Sequence, residues 1–484
     1  MISMNFDPAM IWAILPQIGL LVLGVLVLAF DLLWGDNPRR FLGWLTAGGL
    51  FVIIITSFFL SRPGREAELV WGGMLRHDEL SFLFQMVFLF GAGLTALFAM
   101  ETETIGQRGE FYLLLLVSTL GMTLMAGASD LIMLFLAIET TSIPLYALTG
   151  FLKQDGKSTE SGFKYLLFGA TTSAIMLYGF SLLYGFSGTT QIYQLAGLLQ
   201  AGQVSLLMLL GTLALILVGF SFKISAVPFH FWAPDVYEGA PTPVAGFLST
   251  ASKAAGFAVL MRVLLAVFPT SIPYWAVILA VVATVTMIVG NTLALAQKNV
   301  KRLLAYSSIA QAGYILIGVA AVSPTGVSGA AYYLIAYLIT NIAAFGVVTI
   351  VGQVTGSDEL SAYAGLSRRS PGLALVLLVA FLSLAGIPLF GGFPGKIFVF
   401  TAAVEANLVW LAVLGVLNSV LGLYYYLTVL KVAYLYHSEQ ECLPIAIPRS
   451  WRFALSICVV GIILLGTVLA PWYNWSLTAA QILF

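Results

Sequence analysis

The chain has 484 residues, of which 60% are hydrophobic and only 9% are charged, and its mean hydropathy is +1.00. Soluble globular proteins carry about 25% charged residues, so this composition excludes an ordinary soluble protein. Basic and acidic residues balance at 21 each, which excludes the large basic surface that binds nucleic acid. The length of the chain is therefore best explained by many membrane crossings, and we predict one integral membrane domain.

The few metal-ligating side chains are scattered along the chain. The two cysteines are Cys442 and Cys458, and the three histidines are His77, His230 and His437. These spacings match neither a zinc site nor an iron–sulfur cluster nor covalently attached haem. We therefore predict that this chain binds no metal and no redox cofactor of its own.

Long apolar runs divide the chain into about fourteen segments, and a helix needs roughly 20 apolar residues to cross a membrane. The runs cover approximately residues 10–33, 42–60, 79–99, 110–127, 130–152, 162–185, 203–226, 243–268, 274–296, 302–321, 327–353, 371–401, 408–436 and 452–474. The first run has no Lys or Arg before Arg39, so it lacks the basic region of a cleavable signal peptide and is predicted to remain. These runs predict an all-α polytopic membrane protein.

The basic residues between the runs alternate in number from one side of the membrane to the other. Because inner loops carry an excess of Lys and Arg, this alternation tests the count of crossings. With the N-terminus outside, the outer segments hold three basic residues, Arg62, Arg65 and Arg76. The inner loops hold twelve: Arg39, Arg40, Arg108, Lys153, Lys157, Lys298, Lys301, Arg302, Arg368, Arg369, Arg449 and Arg452. We predict a multi-pass membrane protein with an even number of crossings and both termini on the outer side.

Several charged residues lie inside the predicted crossings. A charge at the centre of a membrane helix costs about 2.5–3.5 kcal/mol, so it needs a partner, water or a protected interior. Glu139 and Lys253 lie about ten residues into their runs, which favours a functional role over snorkelling. For Lys164 and Lys431, near the ends of their runs, snorkelling and function are equal alternatives. Arg262 is nearer the end of its run, and we predict a structural ion pair there.

Two crossings contain helix-breaking residues, and each carries a lysine. Lys223 in the seventh run is followed by Ser225 and Pro228, and proline removes a backbone hydrogen-bond donor. Unpaired backbone is tolerated at membrane depth only where protein buries it or water reaches it. Lys223, and likewise Lys396 in the twelfth run, is therefore predicted to lie beside a break that water can reach. In the twelfth run the breaking residues around Lys396 are Gly386, Pro388, Gly391, Gly392, Pro394 and Gly395.

The two breaks are five crossings apart, a spacing typical of transporters built from inverted repeats. We predict a first five-helix repeat at residues 110–268 and a second, of opposite orientation, at residues 269–436. Three N-terminal helices at 1–109 precede the repeats, and a C-terminal helix at 437–484 follows them. Two unrelated proline kinks are the alternative explanation.

Three segments carry a resemblance to a known family. The longest is PDVYEGAPTPVAGFLSTASK at residues 234–253, and the others are KRLLAYSSIAQ at 301–311 and LAGIPLFGGFPGK at 384–396. The chain resembles the antiporter-like membrane subunits, in particular subunit N, of the proton-pumping NADH:quinone oxidoreductase known as respiratory complex I. The resemblance extends from the fourth crossing to the thirteenth. It implies fourteen helices, two inverted five-helix repeats, and discontinuous seventh and twelfth helices.

The resemblance also implies roles for four charged residues. Glu139 and Lys223 would form the charged pair of a first half-channel, Lys253 would connect the two halves, and Lys396 would be the terminal lysine of the second. Interhelical hydrogen bonding is an equally good explanation for the other polar residues along this path. The candidates for the proton pathway are Lys164, Ser307, Ser308, Gln311, Tyr337, Asn341 and Asn418.

Departures from the related subunits favour subunit N. Tyr333, Tyr337, Asn341 and Phe345 occupy the eleventh run, where subunits L and M carry a His-rich region with a lysine. Subunit M has a glutamate in place of Lys396, and subunit L has a lateral C-terminal helix for which no room remains after residue 474. The resemblance places NADH, FMN, iron–sulfur clusters and quinone on other subunits. It also implies subunit M and small helical subunits such as K as partners.

These features give the hypothesis of a proton-translocating subunit. Burial disfavours a charged lysine whereas Glu139 favours it, so separation of the pair would release a proton from Lys223 towards Lys253 and Lys396. Driving one proton against 100 mV costs about 2.3 kcal/mol, which buried electrostatics can supply. The run Tyr424–Tyr426 is predicted to be an interfacial aromatic anchor. The alternatives are an Mrp-type cation/proton antiporter subunit, a ferredoxin-driven photosynthetic relative, and a structural subunit whose ion pairs are inert.

Overall fold

The structure is a computed structural model that describes residues 9–33, 40–64, 66–201, 204–438 and 443–484. Arg39, Arg65 and Cys442, which the sequence analysis used, lie outside the described residues. All the remaining site residues predicted from the sequence lie within them.

Helices make up most of the described chain, and two short strands, β1 (Glu68–Val70) and β2 (Leu75–His77), pair antiparallel. A π-helical segment, Leu248–Ser252, joins two of the helices into one crossing. The α-helices are α1 (Ala9–Ala13), α2 (Leu15–Leu33), α3 (Arg40–Leu60), α4 (Glu79–Ala99), α5 (Gly109–Gly127), α6 (Leu131–Thr149), α7 (Gly156–Ser187), α8 (Ile192–Gln200), α9 (Leu206–Ile224), α10 (Trp232–Gly239), α11 (Thr242–Phe247), α12 (Lys253–Val267), α13 (Ile272–Ala294), α14 (Val300–Ala320), α15 (Pro324–Thr355), α16 (Leu366–Arg369), α17 (Pro371–Ala385), α18 (Gly392–Glu405), α19 (Val409–Leu435), α20 (Arg449–Thr467) and α21 (Leu469–Gln481).

Thirteen helical stretches of the described residues are long and apolar enough to cross a membrane. The other predicted crossing, the twelfth, is divided into α17 and α18, neither of which is long enough alone. The seventh crossing is also broken, because α9 ends at Ile224 and α10 begins only at Trp232. The thirteen long helices and the divided twelfth crossing together account for the fourteen predicted crossings. The predicted all-α membrane fold, with its broken seventh and twelfth helices, is confirmed.

Four crossings form the core of the bundle. These are α4, α14, α15 and the continuous stretch Thr242–Val267, and 94% of an apolar 18-residue stretch in each of them is buried. The other crossings surround them, and the corresponding stretches of those crossings are 33–67% buried. A lysine on one of the four core crossings is thus kept from lipid by the outer helices.

Successive crossings run in opposite directions, so the connecting segments collect at two ends of the bundle. The end that holds Asp78, Arg262, the β1–β2 hairpin and α8 is called the Arg262 end. The end that holds the loop after α10 and the first turn of α14 is called the Lys301 end. The break in the seventh crossing and the break in the twelfth both lie between these ends.

Among the short elements that were not predicted from the sequence are the hairpin, α8 and α21. The segment that precedes α8 is held against the start of α6, because Asp130 accepts hydrogen bonds from Thr190 and, at 3.2 Å, from the Gln191 amide. The 13-residue α21 follows α20 directly and packs against α15 and α4. The sequence prediction of one apolar run to residue 474 had merged α20 with the first part of α21.

Candidate functional site

Lys223 lies in the last turn of α9, just before the break in the seventh crossing. Its side chain is 4% exposed, and its ammonium donates to the hydroxyl of Ser142 on α6. The broken backbone keeps its hydrogen bonds, because the Val227 amide donates to Thr286 Oγ1 at 3.0 Å. Trp232 Nε1 donates to the Phe222 carbonyl at 3.2 Å, and the Ser225 amide donates to the same carbonyl at 3.1 Å. Protein therefore satisfies the break, as its depth requires.

Glu139 lies on α6, one turn before Ser142, and is half-buried. Its Oε1 atom is buried and accepts no hydrogen bond from any described residue. The pair that the resemblance implies is thus not a direct ion pair in this conformation, because Lys223 contacts Ser142 instead. The contact between Lys223 on α9 and Ser142 on α6 thus lies one helical turn from Glu139, whose Oε1 atom has no hydrogen-bond partner among the described residues.

Lys253 is the first residue of α12 and follows the π-helical segment directly. Its side chain is 2% exposed, and Nζ donates to the Ser308 carbonyl on α14 at 3.0 Å. Three buried hydroxyls between the two breaks have no hydrogen-bond partner among the described residues: Ser225 on the break, Tyr237 on α10 and Ser308 on α14. Buried hydroxyls are nearly always hydrogen-bonded, so these three mark places for water between Lys223 and Lys253.

A chain of hydrogen bonds extends from α14 towards the second break. Ser307, next to the carbonyl that Lys253 contacts, bonds with the Tyr426 hydroxyl on α19. Gln311 Nε2 donates to the same hydroxyl at 3.3 Å and to the Leu384 carbonyl at 3.0 Å, and Tyr333 donates to Gln311 Oε1. The polar side chains of α14 thus connect the neighbourhood of Lys253 with the end of α17.

Lys396 lies in α18, one turn after the second break, and is 5% exposed. Its Nζ atom donates to the Ala385 carbonyl at 2.9 Å and lies 4.7 Å from the centre of the Tyr314 ring. Ala385 follows the Leu384 carbonyl that Gln311 contacts, so the polar chain reaches this lysine. Gly386 ends α17 with a φ of 84°, a backbone conformation that glycine adopts without strain.

The predicted helix-breaking residues occupy the two interruptions or their borders. Pro228 lies between α9 and α10, and Pro388 and Gly391 lie between α17 and α18. Gly392 and Pro394 are in the first turn of α18. The freed backbone is again satisfied, because the Gly392 amide donates to Ser383 Oγ and the Gly391 amide donates to the Ile462 carbonyl, both at 3.0 Å.

Tyr337 and Asn341 lie beside the π-helical segment rather than on the chain between the lysines. Asn341 Nδ2 donates to Ser249 Oγ at 2.7 Å and to the Tyr337 hydroxyl at 3.1 Å. Asn341 Oδ1 is buried without a partner among the described side chains. Asn418 lies elsewhere, near the middle of α19, where it accepts from Asn291 at 3.3 Å.

The other predicted cations are separated from these breaks. Lys164 pairs with Asp235 and Glu160, each at 2.6 Å, and it lies in the third turn of α7 because that helix begins six residues earlier than predicted. Lys431 is exposed, and its Nζ lies 5.7 Å from the Tyr436 ring. The prediction of a structural pair at Arg262 is confirmed by its contact with Asp78.

Sequence reasoning missed several members of this arrangement. The run Tyr424–Tyr426 was expected at the interface, and that prediction is wrong for two of its three residues. Tyr424 is 67% exposed, but Tyr425 and Tyr426 are 3% and 1% exposed and form hydrogen bonds in the core. Ser142 was not considered at all. Helical spacing was the available signal, because consecutive residues on α19 face different directions.

No group of three or more His, Cys, Asp or Glu side chains in the described part of the chain has the geometry of a metal site. The described residues do form a cavity of about 330 Å³ at the Lys301 end, lined by Asp155, Glu238, Lys301 and Asp358 among others. Lys301 forms part of the cavity wall. Its Nζ atom donates to the Ala240 carbonyl at 2.9 Å and lies 3.6 Å from Asp358 Oδ2.

Comparison with known proteins places this arrangement in a family. Residues 128–422 match the family described as NADH:quinone oxidoreductase/Mrp antiporter, transmembrane. The chain belongs to this family. Within it, the chain is 42% identical to NADH-quinone oxidoreductase subunit N of Moorella thermoacetica, over 96% of each chain. It is also 43% identical to NAD(P)H-quinone oxidoreductase subunit 2 of Nostoc punctiforme, over 87% of this chain and 79% of that one.

Solved structures give the same assignment. A chain of respiratory complex I from Thermus thermophilus is 34% identical and superposes with a TM-score of 0.79, covering 94% of this chain and 97% of that one. A chain of the Mrp complex from Dietzia sp. has a TM-score of 0.87 at 22% identity, covering 99% of this chain and 98% of that one, and shows the shared fold alone. The family resemblance to subunit N inferred from three sequence segments is confirmed.

Proposed function

We propose that this chain is the proton-translocating membrane subunit N of an NADH:quinone oxidoreductase, with Glu139, Lys223, Lys253 and Lys396 as its proton-carrying residues. The observation that supports this most is the placement of the three lysines. Each is at most 5% exposed, and each donates to protein oxygen instead of to a carboxylate. A lysine held without a counter-ion can release its proton at far lower cost than one in an ion pair.

The proposed path has two connections. From Lys223 the proton passes through water held by the unpaired hydroxyls of Ser225, Tyr237 and Ser308 to Lys253. From Lys253 it passes along Ser307, Tyr426 and Gln311 towards Lys396. Hydroxyl groups donate and accept at once, whereas the carbonyls at Ser308 and Ala385 only accept, so water must bridge those two points.

Glu139 controls the first step in this proposal. Its free oxygen can receive the ammonium of Lys223 from Ser142, one helical turn away on the same face of α6. Approach of Glu139 would hold the proton on Lys223, and withdrawal would release it. Reduction of quinone by NADH supplies the energy, and FMN, iron–sulfur clusters and quinone are bound by other subunits of the complex.

The assembly and orientation belong to the same proposal. The Lys301 end, which collects most of the basic loop residues, faces the inside of a bacterial cell, and both termini face the periplasm. Subunit M and a small helical subunit such as K are the proposed neighbours in the membrane. Residues 110–268 and 269–436 are the proposed inverted repeats, because each contains one broken helix and one of the buried lysines beside it.

Proton pumping in membrane vesicles that contain the whole complex tests the proposal. Glu139→Gln and Lys223→Ala are each expected to reduce NADH-driven proton uptake several-fold, while NADH oxidation by an artificial electron acceptor is retained as evidence of assembly. Lys431→Ala is the matched control, because it removes an exposed lysine outside the path. Undiminished pumping in Lys223→Ala would reject the mechanism, whereas undiminished pumping in Lys396→Ala alone would reject only the proposed exit.

An Mrp-type antiporter is the second candidate, favoured by the shared fold with the Dietzia Mrp complex. The similarity to the cyanobacterial subunit 2 leaves a ferredoxin-driven complex as a variant of the main proposal. Purification of the native assembly separates them. Co-purified flavin and iron–sulfur subunits support an oxidoreductase, and a complex of small membrane subunits without redox centres supports the antiporter.

A further inference from the structure

An apolar groove opens on the membrane-facing surface near the Arg262 end. Its volume is about 270 Å³, and it lies between α3, α4, α15 and α21. Phe58, Met86, Ile335, Ile339 and Trp475 are among its lining residues, all of which are apolar or aromatic. A space of this size far exceeds the roughly 10–15 Å³ that one water needs by the same measure, and such walls offer water almost no hydrogen-bond partner. Hydrocarbon therefore fits the groove and water does not.

The groove reaches the core of the bundle. Its floor is formed by α4 and α15, the two core crossings that contribute Met86, Ile335 and Ile339, which are 6%, 7% and 9% exposed. The outer helices cover these two crossings elsewhere, so α3 and α21 leave an opening at this point. An unfilled opening would forfeit the dispersion contacts that a close-packed interior makes.

One charged side chain stands at the rim. The Arg62 guanidinium lies 5.5 Å from the centre of the Phe58 ring, and Phe58 is itself a wall of the groove. Arg62 Nε donates to Glu79 Oε1 at 3.3 Å, and Trp475 Nε1 donates to Glu79 Oε2 at 3.1 Å. The carboxylate is thus satisfied on both oxygens, and the two outer nitrogens of the 51% exposed Arg62 side chain form no hydrogen bond to another described residue. They can bind a phosphate bidentately.

We propose that this groove is a binding site for one glycerophospholipid. An acyl chain fills the space between α3 and α15, and the phosphate of the head group binds the free edge of the Arg62 guanidinium. Trp472 and Trp475 line the groove beside that charge, a position that tryptophan favours at membrane interfaces. The site thus complements both parts of one lipid molecule: the apolar groove fits the acyl chain, and the cation at its rim fits the phosphate.

Photolabelling of the assembled complex in lipid nanodiscs tests this site. The probes are a phosphatidylglycerol and a diacylglycerol that carry the same acyl chain with a diazirine near its end. With phosphatidylglycerol we expect labelled peptides from the Ile335–Ile339 segment of α15, and labelling that saturates at a low mole fraction of probe. Labelling that rises in proportion to the mole fraction would show ordinary surrounding lipid and overturn the proposal.

Two variants and two matched controls sharpen the result. Ile339→Trp fills the groove and is expected to reduce labelling of α15 at least fivefold. Leu21→Trp, in the smaller apolar groove between α2 and α5, should leave it unchanged. Arg62→Gln is expected to lower phosphatidylglycerol labelling to the level of diacylglycerol. Arg40→Gln, which removes another exposed arginine paired with a glutamate, Glu101, should not.

Failure of Ile339→Trp to assemble would leave Arg62→Gln as the deciding variant, because Arg62 lies on the surface. Equal labelling by the two probes in the unaltered complex would overturn the phosphate contact. Undiminished labelling in an assembled Ile339→Trp complex would overturn the site itself, as would displacement of the probe by a quinone but not by unlabelled phosphatidylglycerol.

Discussion

The guanidinium of Arg262 donates to both carboxylate oxygens of Asp78, at 2.8 Å each, in a site where the two side chains are 1% and 0% exposed. The same guanidinium donates to the Tyr193 hydroxyl at 2.6 Å and to the Ala126 carbonyl at 3.1 Å. One side chain therefore joins α12 to the start of α4, the end of α5 and the unpredicted helix α8. It fixes the far end of the crossing that carries Lys253.

Loss of this pair should destabilise the subunit strongly. Arg262→Met leaves the Asp78 carboxylate buried with only Arg76, 3.1 Å away, as a cation, and removal of one partner of a buried pair costs about 3–5 kcal/mol. We expect a lower thermal transition temperature for release of the subunit from the purified complex. Asp78→Asn should offset part of the loss when the two changes are combined, because it neutralises the stranded charge and keeps the cap on α4. Strictly additive effects would contradict this account.

Tyr426→Phe should interrupt the second half of the proposed proton path. The substitution removes the hydroxyl shared by Ser307 and Gln311, at a cost of about 1–2 kcal/mol in stability. We expect NADH-driven pumping to fall several-fold while the complex still assembles. The control is Tyr424→Phe, two residues away and exposed, which should pump normally. Equal pumping by the two variants would remove Tyr426 from the path.

Gly386→Ala should displace Lys396. A methyl group on Gly386 would lie 2.8 Å from Lys396 Cδ, and its φ of 84° adds about 1–2 kcal/mol of strain for any residue with a side chain. Gly188→Ala imposes the same kind of backbone strain at a φ of 69° with no neighbouring atom within 4 Å. Pumping should decrease in the first variant only. A matching decrease in both would attribute the effect to general destabilisation.

Acid should weaken the hairpin at the Arg262 end through His77. Burial lowers the pKa of His77 below its ordinary 6.5, although Asp78, Glu68 and Glu79 oppose the shift. The folded protein therefore keeps this imidazole neutral where the unfolded chain would protonate it. The contribution of His77 to the free energy of unfolding is complete above about pH 6.5 and is lost as the pH falls below that value. The transition temperature should fall between pH 7.5 and 5.5, and His77→Asn should make that fall smaller. An unchanged pH dependence in the variant would exclude His77 as its source.

The crossings and the three lysines were predictable because both depend on strong, local signals. A run of 20 apolar residues has one stable solution in a bilayer, and a lysine inside it is costly enough to be conspicuous. Glycine and proline around Lys396 indicated the break because both residues interrupt helices. The order and type of almost every long helix follow from these signals.

The partners of these lysines were not predictable from the sequence. Ser142 and Tyr426 lie 81 and 119 residues from the side chains Lys223 and Ser307 that they contact, and a serine or tyrosine costs little on any face of a helix. The hairpin and α8 were missed because each is short and is held by distant contacts such as the one from Asp130. Tertiary packing decided these features, and local sequence carried no comparable signal.

The π-helical segment Leu248–Ser252 places one residue more in its turn than an α-helix would, immediately before Lys253. Each residue of an α-helix turns the chain by about 100°, so this extra residue sets the rotation of everything from Lys253 to Arg262 relative to α11. Removing it would swing one group away from Ser308 or the other away from Asp78. A single additional residue thus lets Lys253, the proposed proton carrier, and Arg262, the structural contact at the other end of the same helix, face their partners at the same time.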